Sequence, residues 1–294
     1  MNTYRSAYFC LLLVKFFIGV LLPEKAVGGT LPTSQNSILW KVSGKGIKTS
    51  YLYGTFHLVP KNQFVLPEKV KQKMVKSKTV IFEVDLDSPE LTQGLTTAMH
   101  MAEPLETLMT VTDYNFLAQF VQDSLAHSLQ RYRYIKPGFL GQLLLYPKLL
   151  GYSPESYDLA LLELAKAKQK TIWALETPQE QIALLNQSTL ELQMAQFLNN
   201  IRQFDRQRKL MQKMLNLYQQ EDLESLYTLI NAEQEAEDAQ ERLLDQRNRK
   251  WLPALMGKMK RSRSFIAVGA AHLPGQHGLI ALLRSQGYTV EPVF

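Results

Sequence analysis

One four-residue pattern occurs twice in this chain, as Gly54-Thr55-Phe56-His57 and Gly269-Ala270-Ala271-His272, each time directly behind an apolar, strand-like run. The repeat constrains the fold because each copy predicts a strand whose following turn presents a histidine at the strand's carboxyl end. The glycine in each copy is read as the residue that lets the backbone take unusual angles there. Open α/β sheets bind ligands at the carboxyl ends of their strands, so two histidines delivered in this way predict one shared cleft. Imidazole is the commonest metal ligand and a general base near neutral pH. A single G-x-x-H reads as a loop histidine with a local hydrogen bond; two copies in matching contexts reverse that preference.

The segments between the copies supply the rest of an α/β fold. Ile38 to Val42 and Ser50 to Tyr53 flank Ser43-Gly44-Lys45-Gly46 and predict a hairpin. Pro67 opens an amphipathic helix to about Ser77, and Thr79 to Asp85 reads as a buried strand that ends in carboxylates. Short helices broken at Pro137-Gly138 and Pro147 fill Pro104 to Gly151. Pro154 to Lys170 has helical spacing, and Thr171 to Glu176 is a further strand ending in a carboxylate. Pro178 to Met256 is nearly all helix former, with no proline before Pro253. Phe265 to Val268, a helix from Gly278 to Gln286 and a short strand at Tyr288 to Val290 close the chain. The expected architecture is α/β: a mixed central sheet built from the N- and C-terminal thirds, with flanking helices and a mostly helical insert at about 178–256.

With 294 residues and 46% hydrophobic content, the chain can bury a full core. Residues 1–28 read as a signal peptide: Arg5, an apolar stretch from Ala7 to Leu22 interrupted by Lys15, then Ala26-Val27-Gly28 as a small-x-small cleavage site. The expected product is one domain over 29–294, exported to the periplasm or secreted. Transient membrane contact through this segment is the expectation, and an uncleaved membrane anchor is the alternative. The single cysteine, Cys10, lies inside the apolar stretch, which leaves a mature chain without thiolate ligands or disulfides. Arg5, Lys15, Lys25 and Glu24 give that segment a net +2, so about +4 of the total +6 remains. That mild excess is scattered among acids with no aromatic-interleaved stripe, and nucleic-acid binding is not expected.

His57, His272, Glu83 and Glu176 all fall at the carboxyl ends of expected strands. Imidazole and oxygen ligands without thiolate suit Mn²⁺, Co²⁺, Fe²⁺ or Zn²⁺, and a bound divalent ion makes water nucleophilic near neutral pH. The carboxylates are ligands or general base, with Asp85 competing with Glu83 for either role. Glu83, Asp85 and Glu176 also have a bland reading as caps of the helices that follow. Arg247 and Asn248 read, on spacing alone, as polar members of a solvated helix face. His100, His127 and His277 lack any repeated context and read as non-catalytic. His-Glu-x-x-His, Gly-x-Ser-x-Gly and a phosphate-binding glycine loop are all missing.

Several stretches together resemble the TraB/GumN (PrgY) family, which is similar to the Tiki metalloproteases and belongs with the erythromycin-esterase-like and ChaN-like proteins. They are Leu39-Trp40 with Tyr51 to His57, Phe82-Glu83-Val84-Asp85, Leu175 to Gln181, Leu244 to Asn248, Phe265 to Gly275, and Gly278-Leu279 to Tyr288. The resemblance implies an α/β fold with both histidines and the strand-end glutamate at one site, and a metal-dependent peptidase activity using Mn²⁺ or Co²⁺, with Zn²⁺ or Fe²⁺ as further choices. Arg247 and Asn248 match the family's Arg-Asn pair. Ser156-Tyr157-Asp158-Leu159 keeps the Gly-Leu-Asp of many members only loosely. The expectation is an exported metal-dependent hydrolase acting on a peptide or small molecule. His57, His272 and Glu83 are its metal ligands, and Glu83, Glu176, Arg247 and Asn248 its catalytic residues. The alternatives are a non-catalytic protein that sequesters a peptide, as the pheromone-shutdown relatives suggest, and a ChaN-like iron- or haem-handling protein. The oligomeric state is left open.

Overall fold

A computed structural model describes residues 36–44, 46–185, 188–232 and 240–294. The signal-peptide reading of residues 1–28 lies outside the described residues. The strands are β1 (Leu39–Ser43), β2 (Ser50–Thr55), β3 (Thr79–Val84), β4 (Thr171–Glu176), β5 (Ser264–Gly269) and β6 (Thr289–Pro292). They form one sheet in the order β4-β3-β5-β2-β1-β6. β4, β3, β5 and β2 run parallel, while β1 is antiparallel to both β2 and β6. The sheet is therefore mixed, as expected, with the middle segment Thr171–Glu176 added at one edge.

All six residues of β5 and all six of β3 are buried. Strands covered on both faces read as continuous apolar runs rather than alternating ones, which is why Phe265 to Val268 and Val80 to Phe82 carry no polar alternation. The edge strand β4 is largely half-buried and mixes polar with apolar residues. Apolar residues of the strands and surrounding helices form one continuous core cluster.

The helices used below are α1 (Glu68–Lys76), α2 (Pro89–Ala98), α3 (Val111–Leu125), α4 (Tyr157–Ala167), α5 (Pro178–Leu185), α6 (Leu190–Arg202), α7 (Phe204–Gln219), α8 (Leu223–Ala232), α9 (Gln246–Arg261) and α10 (Leu279–Ser285). Between β4 and β5 the described residues form only helices, the last of them continuing to Arg261 rather than Met256. This stretch is anchored to the sheet. Tyr218 of α7 donates its hydroxyl to the Gly54 carbonyl (2.9 Å) and lies 2.9 Å from the Tyr53 hydroxyl, inside a cluster of aromatic rings with Phe56 and Tyr157. A π-helical turn, Glu241–Asp245, leads into α9. Such turns shift the helical register, and here the shift precedes the two polar residues that α9 buries, Arg247 and Asn248.

The topology fixes where a site can form. After β3 the chain moves to β4 on one side of the sheet, and after β5 it moves to β6 on the other. The carboxyl ends of β3 and β5 thus flank a switch point, where open α/β sheets leave a crevice.

Candidate active site

Neighbouring parallel strands put the two repeated turns side by side. Thr55 of β2 pairs with Gly269 of β5, so the segments carrying His57 and His272 leave the sheet at the same level. On the other side of β5, Glu83 of β3 accepts the Gly269 N–H through Oε1 at 2.7 Å. Val84 pairs with Glu176, which brings the second carboxylate to that level from β4.

Each histidine is tethered through Nδ1. His57 Nδ1 lies 3.0 Å from Asp158 Oδ2, while Thr55 donates its hydroxyl to Asp158 Oδ1 at 2.9 Å. Asp158 sits in the first turn of α4, where a carboxylate is favoured by the exposed backbone N–H groups. His272 Nδ1 lies 2.8 Å from Asn248 Oδ1, and the Asn248 amide donates to the carbonyls of His272 (3.2 Å) and His277 (2.9 Å). With its amide hydrogens committed, Asn248 offers His272 only an acceptor, so Nδ1 carries the proton and Nε2 the lone pair. His272 Nε2 is 3.7 Å from Glu83 Oε1. A β-carbon built on Gly269 would fall 3.1 Å from His57 Nε2 and 3.4 Å from Glu83 Oε1. His57 Nε2 and Glu83 Oε1 thus border the same Gly269 position, and His272 Nε2 approaches that carboxylate oxygen from its own turn.

The two glycines work differently from the sequence expectation. Neither Gly54 nor Gly269 has a positive φ; Gly269 lies at φ −51°, ψ 137°, which any residue adopts. Both save space. A β-carbon on Gly54 would stand 3.0 Å from Ala270 Cα, so the two repeated turns could not lie so close.

Arg247 sits at the centre of the charges. Nε donates to Glu176 Oε1 (2.8 Å), Nη2 to Glu176 Oε2 (3.0 Å) and Glu83 Oε2 (2.5 Å), and Nη1 to the Leu243 carbonyl (3.0 Å) and His272 Nε2 (3.1 Å). One turn along α9, Trp251 places its ring under the guanidinium at 4.7 Å and donates its indole N–H to Glu176 Oε1 at 2.9 Å. Gln181 donates to Glu176 Oε2 at 2.5 Å. Arg247 and Asn248 are thus buried rather than on a solvated face. Their burial is tolerated because every charge has a partner, which is what a buried ion pair requires.

Electrostatics separates the two histidines. Burial pushes His272 down to about 3, with Arg247 and His57 adding to that and Glu83 opposing it. His272 is neutral at neutral pH. Burial also works against a charged His57, but the Asp158 carboxylate overrides it and raises His57 above the usual imidazole value. Burial disfavours an ionised Glu83, yet Arg247 beside it holds the carboxyl well below the ordinary range. His57 keeps 14% of its side-chain surface exposed against 1% for His272, so the site opens on the His57 side.

The remaining candidates separate cleanly. Asp85 is exposed and caps the Asp87 N–H (3.0 Å), which leaves Glu83 as the inward carboxylate. Glu176 caps nothing, because Thr177 and Glu180 form the capping pair of α5. His100 bonds the Thr96 carbonyl and His127 the Tyr132 hydroxyl, both away from the cluster. Only the backbone carbonyl of His277 contributes. Asp158, Trp251 and Gln181 belong to the cluster and were not assigned roles from the sequence. Trp251 lies four residues after Arg247, and that helical spacing was the available signal. A cavity of about 20 Å³ bordered by Pro137, Gln142, Asn200 and Gln207 has room for about one water and shares no residue with the cluster.

The donor chemistry suits a divalent ion: two imidazoles anchored through Nδ1, with a carboxylate beside them. In this arrangement Arg247 Nη1 occupies His272 Nε2, and among the described residues no group of three or more His, Cys, Asp or Glu side chains stands in metal-holding geometry.

Fold and cluster together define an α/β protein with a buried His–Glu–Arg centre at the carboxyl ends of neighbouring parallel strands. The model of the TraB/PrgY/gumN family matches residues 38–292, and the chain belongs to that family. It is also similar to a metalloprotease TIKI homolog from Amphimedon queenslandica, at 24% identity in an alignment covering 95% of this chain. The chain spans 66% of that relative's length. No solved structure matches.

Proposed function

We propose that this chain is a metal-dependent hydrolase of the peptidase class. The observation that carries the reading is the gathering of His57, His272 and Glu83 around the Gly269 turn at a sheet switch point. The relative named a metalloprotease supports it. His57, His272 and Glu83 would hold the ion, which would supply an acidified water and polarise the scissile carbonyl. No particular ion is favoured by the residues; Mn²⁺ and Co²⁺ are the first to try, then Zn²⁺ and Fe²⁺.

The protein's own groups have separate tasks. Asp158 holds the His57 ring so that Nε2 points inward. Asn248 does the same for His272 and keeps it in one tautomer. Glu176, with Trp251 and Gln181, fixes the guanidinium of Arg247, whose charge opposes negative charge that develops on a substrate oxygen.

The test is cleavage of a peptide mixture with added Mn²⁺ or Co²⁺, read by mass spectrometry. His57→Ala and His272→Ala should each lose at least about a hundredfold in rate, with circular dichroism showing both variants folded at the assay temperature. The double variant should be little worse than either, because the residues act as a unit. Folded single variants that keep full activity would refute the assignment. Peptide binding without any product would favour sequestration.

We also propose export, on the charged start, apolar stretch and small-x-small site of residues 1–28. No helix among the described residues is long and apolar enough to cross a membrane. The intact mass of protein recovered from its native compartment should lack about residues 1–28; a chain beginning at Met1 would contradict this.

A further inference from the structure

Every N–H of the Arg247 guanidinium is already engaged. The group has five such hydrogens and no acceptor. Glu176 takes two, and Glu83, the Leu243 carbonyl and His272 Nε2 take one each. As folded, Arg247 has no donor left for a substrate. Three of the five bonds go to carboxylates, and the Leu243 carbonyl is held in the turn before α9. The bond to His272 is the longest, at 3.1 Å, and its acceptor is a ring nitrogen rather than an oxygen. It is the one that gives way at least cost.

That nitrogen is also the only one His272 can offer an ion, since Nδ1 is committed to Asn248. A single lone pair serves one partner at a time. We propose that Arg247 Nη1 stands in for the cation at His272 Nε2, so that arrival of the ion displaces this hydrogen and frees it for an oxygen of the substrate. The inference rests on the metal-centre reading given above.

The surroundings suit such an exchange. Glu83 presents Oε2 to Arg247 and Oε1 to His272 and the Gly269 N–H, so each positive group keeps its own carboxylate oxygen when both are present. Glu176 and the Trp251 ring hold the guanidinium by its other edge and its face. Losing the His272 bond therefore frees one hydrogen without releasing the side chain. Substrate recognition by Arg247 becomes conditional on the ion, and ion binding is weakened by the bond it must break.

Mn²⁺ binding, followed by the electron-paramagnetic-resonance signal of the free ion, tests this with unmodified protein and Arg247→Lys. The lysine keeps the charge between Glu83 and Glu176 but loses the forked reach to His272. It should bind Mn²⁺ at least about tenfold tighter. Nitrogen NMR of the unmodified protein titrated with Zn²⁺ gives an independent reading, in which the Arg247 guanidinium signals should shift together with those of His272. Equal or weaker Mn²⁺ binding by the folded lysine variant overturns the inference and leaves the metal centre standing. So do histidine signals that move while Arg247 stays fixed. Absence of binding by both proteins overturns the metal centre and the inference together.

Discussion

Residue chemistry sets the two histidines on opposite courses. The folded His272 stays neutral where an unfolded histidine takes a proton, because burial and Arg247 lower its pKa from 6.5 to about 3. A depressed folded pKa contributes stability above the unfolded value that is lost as pH falls toward the folded one. His57 has the opposite sign: its pKa is raised, so its contribution is present below about 6.5 and fades as pH rises through the folded value. Denaturant unfolding of unmodified protein and His272→Gln between pH 6.5 and pH 4 isolates the first effect. The unmodified protein should lose stability faster on acidification, by up to about 1.4 kcal/mol per pH unit relative to the variant. Parallel curves would mean that His272 is not held neutral. The sequence singled out candidate residues more readily than their surroundings. Glu83 and Asp85 were indistinguishable there, since only strand geometry decides that one points inward and the other caps a turn. Asp158 stood out only within a loose match to the family's Gly-Leu-Asp, and its contact with His57, a residue 101 positions away, leaves no local trace.

At the level of elements, strands announce themselves and helix faces conceal their partners. β3 and β5 were legible because doubly covered parallel strands must be apolar throughout. Arg247 and Asn248 were not, because a polar residue on a helix reads as solvated unless its buried partners are known. Those partners, Glu83, Glu176 and His272, arrive from three different strand ends. The glycines taught a different lesson. The repeated glycine was expected for its backbone freedom, yet Gly269 has ordinary angles and is needed for the volume a side chain would fill. Gly269→Ala should therefore keep the fold, with a melting temperature within a few degrees, and lose at least about tenfold in peptide cleavage as the methyl group intrudes between His57 and Glu83. Gly257→Ala is the control, since nothing lies within 4 Å of its β-carbon position and a helix gains from alanine. Equal activity in both variants would show that the space beside Gly269 is not used.

For the molecule as a whole, the mixed sheet with flanking helices is the architecture expected from the sequence. What the repeat could not reveal is how the long helical run closes on the sheet. Tyr218 of α7 holds the carbonyl of Gly54, and α9 delivers Arg247, Asn248 and Trp251 to the centre itself. The helical run therefore forms a wall of the site. Its contacts connect residues more than a hundred positions apart, which no local pattern encodes. The central claim is that two turns, one at each end of this chain, serve one ion. Crystals grown with Mn²⁺ and measured at its anomalous wavelength test it most directly. The account predicts a single strong peak within bonding distance of His57 Nε2, His272 Nε2 and a Glu83 oxygen, lost in crystals of either His57→Ala or His272→Ala. A peak that persists in both variants, or that lies away from all three residues, would contradict it.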